Sequence, residues 1–128
     1  MSEVFGTEHW PREIRYVAEE KRLVVDFEGG ITFSYPTELL RVESPSAEVK
    51  GHGQNDKKIV AGRKHVGILA IEPVGNYAIR IKFDDLHDTG IFTWQYLYDL
   101  GRNQEEIWQA YLSEIEARGL SREPPRRG

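Results

Sequence analysis

Acidic side chains and a histidine crowd one short stretch of this chain: Asp84, Asp85, His87 and Asp88 lie between Phe83 and Gly90. Hard and borderline divalent ions accept carboxylate and imidazole ligands, so these four, with His52 brought near by a folded loop, form a candidate site for iron, manganese or zinc. His87 oriented by Asp85 or Asp88 also has the makings of a general acid–base pair, but no nucleophile in a recognisable context accompanies it. No HExxH or EF-hand frame is present. The same residue types do plainer work in turns, where aspartates accept bonds from nearby amides and a histidine holds a backbone carbonyl. For a turn of this composition the plainer role is the favoured reading, and no catalytic residue is assigned.

Other stretches carry less. Gly51-His52-Gly53 has neither the GxxxxGK[ST] nor the GxGxxG frame of a phosphate cradle and reads as a flexible loop. Trp94, Tyr96, Tyr98 and Trp108 either pack against a sheet or, if exposed beside Arg80 or Arg102, make a protein-binding patch; core packing is the favoured reading. The absence of cysteine excludes structural disulfides, thiolate zinc sites and cysteine nucleophiles in this chain. A net charge of −4 with scattered basic residues argues against a nucleic-acid surface, which draws its affinity from clustered Lys and Arg. The first ten residues lack a basic and then apolar leader, and no run reaches the ~18 apolar residues that span a bilayer. A cytoplasmic protein is expected.

The elements that must position these residues follow from periodicity. With 128 residues, 39% hydrophobic and 11% aromatic, one domain with a genuine core is expected. Residues 1–10 read as a flexible lead-in, 11–119 as the domain and 120–128, with Pro124-Pro125, as a disordered tail. Ile14 and Tyr16, then Leu23, Val25 and Phe27, alternate with polar positions; Gly29-Gly30 turns into Ile31–Tyr35, giving a three-stranded meander. Pro36 is expected outside any ladder, with Thr37 capping a short helical turn. Val42 to Arg63 is the longest loop. His65 to Ile71, stopped at Pro73, pairs across Gly75-Asn76 with Tyr77–Phe83, the firmest strand of the chain. After Ile91–Thr93, Thr93 caps one or two helical turns closed by Gly101 at C′. Asn103 and Glu106 have capping-box spacing, and Ile107, Trp108, Tyr111, Leu112 and Ile115 recur at three and four residues. These predict an amphipathic helix over about 104–118 that ends at Gly119. The fold class expected is α+β: a mostly antiparallel sheet of five or six strands with a C-terminal helix on one face.

Together SPSAEV, GH, EPVGNYA, FDD.HD.GI and TW.YLY.LG resemble the gamma-butyrobetaine hydroxylase-like N-terminal domain, over about Pro11 to Gly101. The resemblance implies a compact, mostly antiparallel domain. In the hydroxylases of carnitine synthesis the similar domain holds zinc through three cysteines and a histidine. Their histidine falls on His87, but their cysteines fall near Ser44, Ser46 and Val49, so that zinc site is expected to be absent. The dioxygenase iron site lies in a domain outside this chain, and hydroxylase activity is not carried over. A similar domain is appended to P-loop ATPases that carry iron–sulfur clusters. The expected role is therefore a non-enzymatic accessory or interaction domain, linked to iron–sulfur or metal-cofactor assembly, with such an ATPase as partner. The alternatives are an iron- or zinc-binding domain centred on His87 and, behind it, a small enzyme of unknown reaction.

Overall fold

The structure, a computed structural model, describes residues 9–45 and 59–125. Strands β1 (Pro11–Val17), β2 (Arg22–Phe27) and β3 (Ile31–Pro36) form an antiparallel sheet in that order. Its inner face is the Leu23, Val25, Phe27 series, each fully buried. The alternate positions look outward and pair across strands: the Arg22 guanidinium donates to Ser34 at 2.6 Å and the Thr32 hydroxyl to Asp26 at 3.0 Å. Gly29 and Gly30 make the second reversal with φ of +90° and +81°, a conformation that suits glycine alone. Pro36, expected outside the ladder, is paired with Arg22, and the Thr37 amide continues the pairing by donating to Lys21 O at 2.9 Å. A proline is tolerated there because β3 is an edge strand. The ladder thus runs one residue further than expected, Pro36 becomes the N-cap of α1 (Thr37–Val42), and Thr37 is its first turn.

A second antiparallel sheet, in the order β4 (Ile68–Val74), β5 (Ala78–Phe83), β6 (Ile91–Thr93), completes the strands of the described residues. The α+β class and the strand content are as expected, with the strands divided between two sheets. Ile79, Ile81 and Phe83 face inward and Arg80 and Lys82 outward, although Ala78, on the outward parity, is also buried. Pro73 does not stop β4: it sits opposite Ile79, again on an edge strand. A bulge between Ile68 and Ala70 leaves Leu69 65% exposed.

Two helices close the core. Thr93 Oγ1 accepts from the Tyr96 amide at 3.1 Å and caps α2 (Trp94–Arg102), as expected. Gly101 is not its C′ residue but lies within the helix, where a Cβ would overlap the ring of Phe33; the missing side chain lets α2 lie close on the first sheet. A single residue, Asn103, separates α2 from α3 (Gln104–Ala117). Its side chain turns back to donate to Asp99 O at 2.9 Å, so the expected capping box does not form. The end of α3 falls where the sequence places it, at Gly119 with φ +67°. The main core joins both sheets to α2, and Tyr35 ties them by donating to Leu97 O at 2.6 Å, burial pushing its hydroxyl well above the ordinary tyrosine range. Tyr111 and Ile115 of α3 pack on Val42 in a smaller cluster.

Both ends of the described chain belong to the fold further than composition suggests. His9 stacks on Tyr98 with ring centroids 3.5 Å apart, and Trp10 O accepts from Glu28 at 2.8 Å. Residues 120–125, expected to be disordered, run beside residues 62–64: the Gly62 amide donates to Ser121 O at 2.9 Å and the Lys64 amide to Arg122 O at 3.0 Å. Polar, exposed composition hid a segment held by backbone pairing and by an arginine on a buried acid.

The Gly101 contact is directly testable. Gly→Ala inside a helix normally stabilises by about 1 kcal/mol. Here Gly101→Ala is expected to destabilise by about 2 kcal/mol, the usual cost of overpacking, in chemical denaturation. A stabilised variant would disprove the close approach to Phe33.

Candidate functional site

The acidic turn leaves β5 at Phe83 and is built largely by its own backbone. The Leu86 amide donates to Phe83 O and the Phe83 amide to His87 O, both at 3.0 Å, while the Asp84 amide reaches Gly67 O at 2.9 Å. Asp85 Oδ1 accepts from the His87 amide at 3.1 Å, the aspartate turn that the composition suggests. Leu86 is thereby held at φ +74°, a left-handed conformation rare for a branched residue, with its side chain 81% exposed.

Asp85 also anchors the turn to the rest of the molecule. Arg41 Nε of α1 donates to its Oδ2 at 2.7 Å, and Arg63 Nε lies 2.6 Å from the same oxygen. The Arg63 contact is an ion pair only, since its Nε–H is not aligned for a hydrogen bond. Burial raises the Asp85 carboxyl, but the bonds from Arg41 and the His87 amide and the charges of Arg41 and Arg63 outweigh it and hold the group below the usual carboxylate range. Arg41 is nine-tenths buried, and its Nη1 has no hydrogen-bond partner.

His87 points the other way, into the protein. Its Nε2 lies 3.0 Å from Ser44 Oγ, with Ser44 fully buried and His87 7% exposed. Gly90 covers the pair: a Cβ there would overlap Ser44 Oγ. The hydroxyl is closed to a substrate, and Asp85 addresses the backbone of His87, so the arrangement lacks the accessible nucleophile of a hydrolytic triad.

The predicted ligands are thus dispersed. Asp85 is engaged by two arginines and His87 by Ser44. Asp84 is exposed, its Oδ2 beside Gly67 with Tyr16 Oη and Lys21 Nζ; Asp88 is exposed, and His52 lies outside the described residues. Among the described residues no group of three or more His, Asp or Glu side chains converges to hold a metal ion. Nor do the residues present fit the zinc of the hydroxylases. Where the resemblance places a thiolate near Ser44 and an imidazole at His87, a neutral hydroxyl meets the ring in a hydrogen bond. Ser46 and Val49 lie outside the described residues.

Ser44, Arg41, Arg63 and Gly90 were not identified from the sequence as a constellation. For Ser44 the resemblance carried a signal; for the arginines none existed, because Arg41 and Asp85 stand 44 positions apart. The aromatic residues follow the core reading. Trp94 is buried and donates to Asn76 O at 2.9 Å, and Tyr96 donates to Glu43 O at 2.5 Å, burial pushing its hydroxyl up to about 12.

The fold is a domain of two small antiparallel sheets under helices, with a buried contact between His87 and Ser44 beside the acidic turn. The sequence matches the family described as gamma-butyrobetaine hydroxylase-like, N-terminal, over residues 14–98, and the chain belongs to that family. Two proteins with NMR solution structures are similar throughout. One is 39% identical, with a TM-score of 0.79 over 93% of this chain and 94% of its own. The other is 42% identical, with a TM-score of 0.80 over 100% and 95%. A crystal structure from Acidithiobacillus ferrooxidans, of a protein of unknown function in the DUF971 family, is 41% identical, with a TM-score of 0.61 over 71% of this chain and 91% of that one. A search of curated proteins finds no significant match. Among the described residues no helix is long and apolar enough to cross a membrane.

Removing either anchor should loosen the turn. Asp85→Ala leaves the buried Arg41 guanidinium uncompensated and is expected to cost on the order of 3 kcal/mol in denaturant unfolding. Because the folded Asp85 pKa is depressed, the unfolded chain binds more protons near pH 4. The native protein therefore loses stability as pH falls through that range, and the variant should show a flatter acid limb. An unchanged pH profile would show that Asp85 is not a source of acid sensitivity. His87→Ala strands the buried Ser44 hydroxyl and should cost about 1 to 3 kcal/mol, with no dependence on chelator. A chelator-dependent loss in the parent would contradict the hydrogen-bond account.

Proposed function

We propose that the chain is a non-enzymatic interaction domain whose contact point is the Asp84–Asp88 turn. One observation carries this reading: Leu86 is held in a left-handed conformation by three hydrogen bonds, with its apolar side chain 81% exposed at the tip. An exposed leucine on a rigid support suits an anchor residue that fills a partner's pocket with little loss of conformational entropy on binding. The acids around it favour a partner with a basic rim. The resemblance directs the first search to P-loop ATPases of iron–sulfur cluster assembly, which makes a role in metal-cofactor assembly part of the proposal. The alternative, an iron or zinc site of His87, Asp84, Asp85, Asp88 and His52, would need the described ligands to leave their present partners.

The test is calorimetric titration of the full chain with such an ATPase, beside Leu86→Asp. The variant should keep its stability within about 0.5 kcal/mol, as an exposed substitution does, and should lose the binding heat. Equal binding by both proteins would remove Leu86 from the interface. Elemental analysis of untagged protein prepared without chelator separates the alternative: near-stoichiometric iron or zinc that vanishes in His87→Ala would replace the interaction reading with the metal reading.

A further inference from the structure

Residues 121–123 pack against α1, α3 and the stretch 62–65. Glu38 of α1 is 5% exposed, and its carboxylate accepts a two-pronged contact from Arg122, Nε at 2.9 Å and Nη2 at 2.7 Å. The same guanidinium lies 5.3 Å from the ring centre of Trp108 of α3. The next residue, Glu123, meets Lys64 Nζ at 2.9 Å and His65 Nε2 at 3.3 Å. The amides of Gly62 and Lys64 hold the carbonyls of Ser121 and Arg122.

Taken apart from the segment that fills it, this groove carries a recognition code. A buried carboxylate and an aromatic face select a planar guanidinium, which matches a carboxylate in two bonds and stacks on a ring as an ammonium does not. Lys64 and His65 select an acid at the following position. The two amides bind the main chain of any extended segment, as in peptide recognition by strand addition. We infer that this groove is a docking site for an extended segment of a partner protein in which an arginine is followed directly by an acid, and that the chain's own Arg122-Glu123 occupies it as a reversible cover.

Side-chain burial in the cover is concentrated on one residue, Arg122. Arg122 is the only residue of 120–125 that is not exposed, and Leu120 keeps 42% of its surface in solvent, so little apolar burial offsets the ordering of this segment. The Glu123 pairs are solvent-exposed and contribute little. It also fills the groove incompletely: cavities of about 320 and 280 Å³ flank it and share Gly62 and Arg63 in their walls. A partner with larger side chains in place of Ser121, Pro124 and Pro125 would use that space. One of these cavities is walled in part by Asp84 and Asp85 at the base of the Leu86 turn, and the variants tell the two proposals apart, since Leu86→Asp leaves the Glu38 carboxylate and Arg122 untouched.

The probe is a fluorescein-labelled peptide, Leu-Ser-Arg-Glu-Pro-Pro, titrated by anisotropy into the full chain and into full-length Arg122→Ala/Glu123→Ala. The double variant should bind it saturably and at least about tenfold more tightly than the parent, whose own segment competes. A peptide with alanine for arginine should fail to bind, as should the double variant carrying Glu38→Gln. Equal affinity for parent and double variant, or no saturable binding by either, would overturn the proposal. If the double variant does not fold, excess peptide on isotope-labelled parent decides: the Ser121 and Arg122 amide signals should move to random-coil positions, and unmoved signals would overturn it. A parent dimer that dissociates on Arg122→Ala would put a second copy in the groove, and would overturn it too.

Discussion

One carboxylate, that of Asp85, holds the candidate site in place. It collects Arg41 from α1, Arg63 from the approach to β4 and the His87 amide from its own turn. Three separate parts of the chain therefore meet on one side chain that is only 19% exposed. Such a group is stable as an ion only because its partners are fixed around it. Arg41, more buried still, depends on Asp85 in return, so the pair acts as a clamp whose halves cannot be lost singly without stranding a charge.

The clamp explains why an acidic, histidine-bearing turn need not be a metal centre. Metal ligands must aim lone pairs at a common point, whereas here the carboxylate lone pairs are taken by two guanidinium groups and an amide, and the imidazole is turned inward to Ser44. The Ser44–His87 bond, shielded by Gly90, joins the end of α1 to the turn at the positions where the hydroxylases are expected to use zinc. A hydrogen bond between imidazole and hydroxyl makes that join without the thiolates this chain lacks.

With the interior of the turn used for structure, the groups left facing solvent are those open to interaction. Leu86 stands at the tip of the clamped turn, and Glu38, three residues before Arg41 on α1, is covered by Arg122. Both surfaces rest on α1, all six residues of which are buried although two are charged. A short helix of that kind is stable only where each charge finds a partner from a distant part of the chain, and the two it finds are Asp85 and Arg122.

By itself the sequence determined what is local. Alternation over Leu23–Phe27 and Ile79–Phe83, the glycine pair at 29–30, the Thr93 cap and the stop at Gly119 are read from neighbours within a turn or a strand, and they stand. The SPSAEV and FDD.HD.GI segments placed the chain in its family for a similar reason, since short motifs need no tertiary contact to be seen. What only the tertiary structure decided is long-range pairing. Pro36 and Pro73 sit in ladders because their strands lie at sheet edges, which no local pattern states. Gly101 is a contact point for Phe33 and not a helix stop. Arg41 and Arg63 choose Asp85, and Arg122 chooses Glu38 across 84 positions, because burial makes an unpaired charge costly and only the folded chain shows which charges are buried together.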